Sequence, residues 1–316
     1  MEGREFPDIV RQFDRQSEIL ARVPWFADPA RAREILEFGE VSKGDRVLEV
    51  GCGPGVVLEQ AAAVAGRLVG VDVSLRMLEK ARGRAPSVHV ARAMCERLPF
   101  RDVAFDVAYS RSTLHHVLDP SRMLGEMARS VRPGGRVILN DTITSEVPEW
   151  STNHNEVERL RDPSHGRMVT GSELLRHFER AGLAVARIEE KRHPRSLSDW
   201  LDITSPPAEA RAAIVARFEA WIAADSSGLH VRRASDTLRF DHTQWTVLGI
   251  RPGRVRSAAD PVPHVRERHR PEPAVGGSRE DPPQEEDHPR EAGLNVRLGD
   301  HRPDLTRPTG SALQER

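Results

Sequence analysis

The feature that most constrains the fold is a short apolar strand that runs directly into a glycine-rich turn. The segment RVLEVGCGPG occupies residues 46–55 and places Gly51, Gly53 and Gly55 at alternate positions. Glycine tolerates positive φ angles and lets a ligand approach the backbone closely, and the helix predicted to follow presents free N–H groups. The segment therefore predicts a strand, a turn and a helix of an open α/β sheet, with a ligand at the turn.

Short apolar runs alternate with helical segments between residues 45 and 141. Each run is mostly apolar or β-branched, and its apolar character is continuous rather than alternating, which is typical of strands buried on both faces of a parallel sheet. The predicted strands are Arg46–Val50, Arg67–Val71, Ser87–Ala91, Phe105–Ser110 and Arg136–Asn140. The predicted helices between them are Val56–Ala65, Ser74–Arg84 and Ser121–Val131. These elements predict a doubly wound α/β domain with a mostly parallel sheet.

Further elements are predicted on both sides of this core. They are the helices Asp8–Leu20, Pro29–Phe38, Ser172–Ala181, Ser198–Ile203 and Ala208–Ala224, the strand Ala184–Glu190, and one or two strands in Asp236–Ile250. Because helices interrupt the last strands, we expect a cap over the ligand edge at about residues 195–235. The predicted organisation is N-terminal helices or a lid at 1–40, a main domain at 41–253 and a tail at 254–316.

The tail at 254–316 differs sharply in composition from the rest of the chain. It holds nine Pro, 23 charged residues and no aromatic residue among its 63 residues. Such a segment buries too little apolar surface to offset the entropy that it would lose on ordering. We therefore expect the tail to be disordered.

The charge balance and the cysteines argue against several classes of protein. The 316 residues include 47 Lys and Arg against 48 Asp and Glu, so no overall field is available to hold nucleic acid. Two cysteines, Cys52 and Cys95, cannot form a disulfide framework, which favours a cytoplasmic location. No apolar run approaches the roughly 20 residues that span a bilayer, so stable membrane insertion is not expected.

Two carboxylates lie at predicted strand ends beside the glycine turn. Glu49 precedes the turn, and Asp72 follows the second strand, where a carboxylate can accept both ribose hydroxyl protons of a nucleoside. A dinucleotide fingerprint would need a glycine where Val56 stands. A nicotinamide-dependent oxidoreductase is therefore a weaker interpretation.

The strand that ends in an acidic residue and runs into Gly-Cys-Gly-Pro-Gly resembles motif I of the class I S-adenosylmethionine-dependent methyltransferases. The segments CERLPF, FDVAYS, LHHVLDP and RPGGRVILND are similar to later stretches of that family. The flanks FDRQSEIL and LRDPSHGRMVTGSELLRHFERAGLAV resemble its small-molecule branch, methyltransferase type 11, which includes the ubiquinone and menaquinone C-methyltransferases. This resemblance covers about residues 5–253 and implies a seven-stranded Rossmann-like sheet with S-adenosylmethionine as cofactor.

The resemblance also implies which residues hold the cofactor. Glu49 helps to orient the amino group of its methionine part, Asp72 binds the ribose, and Met94 stands where the family commonly has an Asp that meets the adenine. The implied cofactor-binding residues are Glu49, Gly51, Cys52, Gly53, Gly55, Asp72, Val73, Met77, Met94, Cys95, Ser110 and Arg111. Cys95 as a nucleophile is an alternative without an evident activating partner.

The acceptor is expected beyond the carboxyl ends of the parallel strands, where open α/β sheets bind ligands. His165, in the RDPSH loop, is the first candidate for a catalytic proton acceptor, and His116 is the second. For both histidines, a packing or loop-ordering role is the alternative. Trp200 and Trp245 are candidate walls of the cavity.

These expectations favour an enzyme that transfers a methyl group to a small-molecule acceptor, aromatic or quinone-like. The alternative is a non-catalytic cofactor-binding or regulatory protein on the same fold. No metal is expected, because the fourth strand ends in Ser110 and Arg111 and supplies no carboxylate. Whether the methylated atom is carbon, oxygen or nitrogen stays open, and so does the oligomeric state.

We predict that truncation after Gly253 leaves the melting temperature and the cofactor affinity unchanged. The removed segment has too few apolar residues to form part of a core. Differential scanning calorimetry and a binding titration of the full-length and truncated chains test this expectation. A large drop in melting temperature on truncation would show that the tail docks on the domain.

Overall fold

Parallel strands form the centre of the fold, as the apolar runs predict. The computed structural model describes residues 6–234 and 237–253, so the tail expected at 254–316 lies outside the described residues. The strands are β1 (Arg46–Val50), β2 (Arg67–Asp72), β3 (His89–Arg92), β4 (Phe105–Arg111), β5 (Val131–Thr142), β6 (Ala184–Ser196), β7 (Arg232–Ala234) and β8 (Thr237–Ile250). The helices are α1 (Phe6–Leu20), α2 (Pro24–Ala27), α3 (Pro29–Phe38), α4 (Val56–Ala61), α5 (Leu75–Arg84), α6 (Pro120–Ser130), α7 (Pro148–Arg161), α8 (Gly171–Arg180), α9 (Leu197–Thr204) and α10 (Ala208–Ala223).

The strands pair into one mixed sheet in the order β3-β2-β1-β4-β5-β8-β6, and the short β7 pairs with β8. Neighbouring strands from β1 to β5 are parallel, whereas β8 is antiparallel to both β5 and β6. The seven-strand path confirms the predicted doubly wound sheet, and β7 is an addition to it. The carboxyl ends of β1, β2, β4 and β5 consequently share one edge, where ligands of such sheets bind.

Two apolar layers cover the faces of the sheet. Val47 packs with helices α3, α4 and α5 on one face, and its neighbour Leu48 packs with α6 and α8 on the other. Both side chains are fully buried. Alternate residues of a strand point to opposite faces, so a strand covered on both sides needs apolar residues at successive positions.

A third apolar cluster lies in the cap, whose helices α9 and α10 begin and end within one residue of their predicted bounds. Trp200, Phe218 and Phe240 meet there, from α9, α10 and β8, and Val157 joins them from α7. Neither α7 nor α2 was predicted, and β6 extends to Ser196, well beyond the predicted end at Glu190. The extended β6 leads directly into α9 and so carries the cap.

The described residues all lie in one compact unit. The predicted boundaries at residues 40 and 253 stay predictions. Among the described helices, none combines the length and the apolar character needed to cross a membrane.

Candidate functional site

The three glycines of the turn between β1 and α4 have different roles. All three have positive φ angles, +71° at Gly51, +50° at Gly53 and +82° at Gly55. A Cβ atom at Gly51 would lie 2.4 Å from Thr113 Oγ1, and one at Gly55 would lie 2.8 Å from Ala81 Cα. A Cβ atom at Gly53 would meet nothing within 4 Å. Gly51 and Gly55 therefore serve chain packing, whereas Gly53 presents bare backbone to open space.

Asp72 holds the turn from the end of β2. Its carboxylate accepts hydrogen bonds from the backbone N–H groups of Gly53 (2.8 Å) and Ser74 (2.9 Å). Burial raises the pKa of this carboxyl, and the two backbone hydrogen bonds oppose that rise. A buried carboxylate with two amide donors is fixed in position and still lines the cavity beside Gly53.

A cavity of about 1310 Å³, solvent at its mouth included, extends from the glycine turn to the cap. Residues at its turn end include Gly51, Gly53, Asp72, Val73, Met77, Met94 and Cys95. Its other end, the cap chamber, is lined by residues that include Phe13, Trp25, Glu158, Arg161, Arg195, Trp200 and His242. The two ends meet at the carboxyl end of β4.

His115 lies where the two ends of the cavity meet, and a buried carboxylate orients its ring. His115 Nδ1 is 2.5 Å from Asp141 Oδ1. The other oxygen of Asp141 accepts the backbone N–H groups of Thr113 (3.0 Å) and Leu114 (2.7 Å). Because Asp141 can only accept when ionised, Nδ1 carries the proton and Nε2 is the basic nitrogen of neutral His115.

The electrostatics of this pair suit a proton acceptor. Burial lowers the pKa of His115, but the charge and hydrogen bond of Asp141, together with the charges of Glu158 and Asp162, more than offset that effect, so the pKa is raised from 6.5. The side chain is 13% exposed and lines the cavity, and no hydrogen bond within the described residues engages Nε2. The arrangement is a histidine–carboxylate dyad that can take a proton from a bound acceptor.

His165 does not border the cavity, contrary to the sequence expectation. Its ring is buried, and Nε2 donates to Asn155 Oδ1 at 3.0 Å. Asn155 Oδ1 also accepts the backbone N–H of Met168, so the three residues order one loop. Burial places the pKa of His165 well below its ordinary value. The loop-ordering alternative therefore explains this histidine, and its proposed catalytic role has no geometric support.

His116 lines the cavity but is held as a packing residue. Its Nδ1 lies 3.1 Å from the carbonyl oxygen of Ser164 and therefore donates to it. Its ring stands edge-on to Phe13 at 4.8 Å between centroids. Burial, followed by the neighbouring charge of His115, lowers the pKa of His116 to about 4. His116 is neutral near pH 7 and a weaker base than His115.

The structure divides the predicted cofactor residues into two groups. Those that line the cavity are Gly51, Gly53, Asp72, Val73, Met77, Met94, Cys95 and Arg111, whereas Glu49, Cys52, Gly55 and Ser110 lie behind its surface. Burial raises the pKa of Glu49 to about 8, although its Oε2 accepts the hydroxyl of Tyr109 at 2.8 Å. Ser110 Oγ donates to the carbonyl oxygen of Val50. Direct cofactor contacts of these four residues stay predictions.

Burial and packing bear on the predicted roles of Cys95, Trp200 and Trp245. Burial raises the pKa of the Cys95 thiol, which leaves it unreactive as a nucleophile. Trp200 lines the cap chamber as expected. Trp245 does not line the cavity, because its ring packs over Gly171 and its Nε1 donates to Glu190.

The LHH segment predicts that His115 and His116 lie near the methyl group, but it does not identify His115 as the base. That role depends on Asp141, which lies near the end of β5. Since β4 and β5 are neighbours in the sheet, their carboxyl-end residues meet. The strand order of a doubly wound sheet could have provided that signal. Phe13 on α1 could not have been placed over the cavity from its spacing.

Known proteins share this architecture. A family described as "Methyltransferase domain" matches residues 48–139. The uncharacterized methyltransferase YcgJ of Bacillus subtilis is 28% identical over 232 residues, which are 72% of this chain and 87% of YcgJ. The crystal structure of YcgJ superimposes with a TM-score of 0.67 at 25% identity and covers 70% of this chain and 98% of that one.

Two further relatives are matched over part of their length. An uncharacterized 37.1 kDa protein from transposon TN4556 of Streptomyces fradiae is 32% identical over 204 residues, 60% of this chain and 57% of that protein. The 27-O-demethylrifamycin SV methyltransferase of Amycolatopsis mediterranei is 33% identical over 174 residues, 52% of this chain and 59% of that enzyme. The chain thus spans less than two thirds of these relatives. Other matches are named demethylmenaquinone methyltransferases.

The fold, the glycine turn with its strand-end carboxylate, and these relatives define one class of protein. The chain belongs to the class I S-adenosylmethionine-dependent methyltransferases. The sequence resemblance is thereby confirmed.

Proposed function

We propose that this chain transfers a methyl group from S-adenosylmethionine to a small-molecule acceptor and that His115 removes the acceptor's proton. The observation that carries this proposal is the His115–Asp141 dyad, which lies between the glycine turn and the cap chamber. A cavity that only held a cofactor would have no use for an oriented base at this junction.

The turn end of the cavity fits S-adenosylmethionine. Gly53 offers a positive-φ backbone whose missing side chain leaves the space open, and Asp72 lies beside it as an acceptor for ribose hydroxyls. Met94 and Cys95 supply an apolar surface for the adenine. When bound, the cofactor supplies an electrophilic sulfonium methyl group. Relatives named as methyltransferases support the same assignment.

The residues of this chain then have separable roles in the reaction. The cavity walls hold the acceptor in line with the methyl group, and such orientation can supply about 7–11 kcal/mol of the barrier. Neutral His115 accepts the acceptor's proton at Nε2, and Asp141 stabilises the resulting imidazolium through Nδ1–H. Thr113 and Leu114 keep Asp141 in place through their backbone N–H groups.

The cap chamber supports an aromatic or quinone-like acceptor. Phe13, Trp25 and Trp200 provide flat apolar surfaces around it. Arg195 also lines the chamber, with its guanidinium 4.1 Å from the centre of the Trp25 ring. The name of the rifamycin relative refers to a methylated small molecule, which agrees with this class of acceptor.

A screen for S-adenosylhomocysteine release across phenols, quinols and amine metabolites tests the proposed activity. Release that depends on one class of added acceptor is the expected result. Tight S-adenosylmethionine binding without release in any class would favour the non-catalytic alternative.

We predict that Asp72→Asn weakens S-adenosylmethionine binding at least tenfold. The substitution removes charge-assisted hydrogen bonds, each worth about 1.5–3 kcal/mol. Isothermal titration calorimetry measures the affinity. Asp225→Asn is the matched control, because Asp225 also accepts backbone N–H groups in a turn but does not line the cavity. Equal affinities of the Asp72 variant and the unmodified protein would refute the ribose assignment.

We predict that Gly53→Ala reduces S-adenosylmethionine affinity at least tenfold while the protein stays folded. A methyl group at this position enters ligand space, and a positive φ costs a non-glycine residue about 1–3 kcal/mol. Gly182→Ala is the control, because Gly182 has a φ of +70°, also has open space at its Cβ and does not line the cavity. Both variants should melt a few degrees lower, and only Gly53→Ala should lose affinity.

We predict that His115→Gln lowers kcat by about 10²–10⁴-fold with the acceptor found in the screen. Because the pKa of His115 is raised above 6.5 and the neutral ring is the base, kcat should rise with pH through that elevated pKa. Asp141→Asn removes the charge that raises the pKa. The rising limb should therefore move to lower pH, and the plateau should fall.

His89→Gln is the control for these variants, because His89 is exposed on β3 and does not line the cavity. Its pH profile should match that of the unmodified protein. A profile of Asp141→Asn that kept the same midpoint would contradict the role of the dyad.

A further inference from the structure

Three buried side chains between the cap chamber and β8 direct potential metal-ligand atoms toward one another. They are His154 and Glu158, one turn apart on α7, and His242 on β8. One ligand atom from each lies within 4.8 Å of the other two. His242 Nε2 is 3.3 Å from Glu158 Oε1, and His154 Nε2 is 3.9 Å from the same oxygen.

None of these three atoms makes a hydrogen bond of good geometry within the described residues. His154 Nε2, Glu158 Oε1 and His242 Nε2 are fully buried, and the 3.3 Å contact between His242 Nε2 and Glu158 Oε1 is the closest polar approach among them. The residues themselves are 2%, 1% and 5% exposed. An unsatisfied buried polar group costs about 1–3 kcal/mol, and more when it is charged. A single shared partner would satisfy all three groups.

The other oxygen of Glu158 fixes the carboxylate. Arg161 donates to Glu158 Oε2 from Nε at 3.0 Å, and its Nη2 lies 2.9 Å from the same oxygen. The guanidinium also lies over the Trp200 ring, 4.5 Å from its centre. Oε1 is thereby held toward the two histidines. An outer partner that orients a ligating carboxylate in this way is typical of protein metal sites.

The donor types of the three groups suit a metal. Two neutral imidazoles and one carboxylate are a donor set that binds first-row transition ions.

The donor separations can be compared with those around a coordinated ion. Bonds of about 2.0–2.2 Å at tetrahedral angles place donor atoms roughly 3.3–3.5 Å apart. The His242–Glu158 separation of 3.3 Å already meets this value, whereas His154, at 3.9 Å from Glu158 and within 4.8 Å of His242, must move toward both through a side-chain adjustment. Arg161 and Arg195 lie near Glu158 and oppose a cation. We therefore expect micromolar rather than nanomolar affinity.

We propose that His154, Glu158 and His242 form a binding site for a divalent first-row transition ion such as Zn²⁺ or Co²⁺. Glu158 and His242 line the main cavity, so the proposed site borders the cap chamber. The ion would clamp α7 to β8 and offer an electrophilic contact to an oxygen of a bound molecule. This site is separate from the glycine turn and does not depend on the proposed methyl transfer.

Co²⁺ is the probe for the test, because its visible absorption reports ligation by nitrogen and oxygen. The full-length, untagged chain is stripped with a chelator and titrated with CoCl₂, and Zn²⁺ binding is measured by calorimetry. We expect one equivalent per chain to produce the absorption and to raise the melting temperature. His154→Ala and His242→Gln should each weaken binding at least tenfold and abolish the thermal shift.

His89→Ala is the control and should bind like the unmodified chain. Because the control variant also carries the histidines of the tail, comparison with it separates their Co²⁺ binding from that of the proposed site. Melting curves of the metal-free variants establish that they are folded. Because two variants are tested independently, the test still works if one of them does not fold. Unchanged Co²⁺ absorption in both variants would overturn the proposal. The absence of binding to the unmodified chain would also overturn it, and a bridging water would then be the shared partner of the three side chains.

Discussion

The buried carboxylate of Asp141 organises the region where the two ends of the cavity meet. It receives the backbone N–H groups of Thr113 and Leu114, the N–H of Thr142 and the ring of His115. These contacts bind the segment after β4 to the end of β5. Without these hydrogen bonds, the carboxylate of Asp141, which is 1% exposed, would be a buried charge without compensation, and the His115 ring would have no fixed orientation. The same carboxylate therefore both supports the backbone and orients the base His115.

The same segment also positions the loop that follows α7. The carbonyl oxygen of His115 accepts the backbone N–H groups of Gly166 and Arg167. Through these bonds, the loop lies against the base while the ring of His165 turns toward Asn155. The histidine that the sequence favours for proton transfer is thus used to order the loop. Its neighbour His115, which lines the cavity and has a carboxylate partner, is the better base.

The sequence was sufficient to predict the central sheet and the cap helices α9 and α10, but not α7. Strand β1 and helix α3 begin and end where predicted, because continuous apolar runs and a Pro after a capping Asp are local signals. Helix α7 was missed because His154, Asn155 and Glu158 face its buried side, which removes the apolar periodicity that marks a helix. Their burial depends on contacts with distant residues, and no local pattern records those contacts.

We propose that the glycine turn presents the methyl group of S-adenosylmethionine to an acceptor held beside His115. A crystal structure of the complex with S-adenosylhomocysteine tests this proposal most directly. We expect ribose hydroxyls on Asp72, the methionine part over Gly53 and the sulfur directed toward the His115 ring. A product bound elsewhere, or a sulfur directed away from His115, would contradict it.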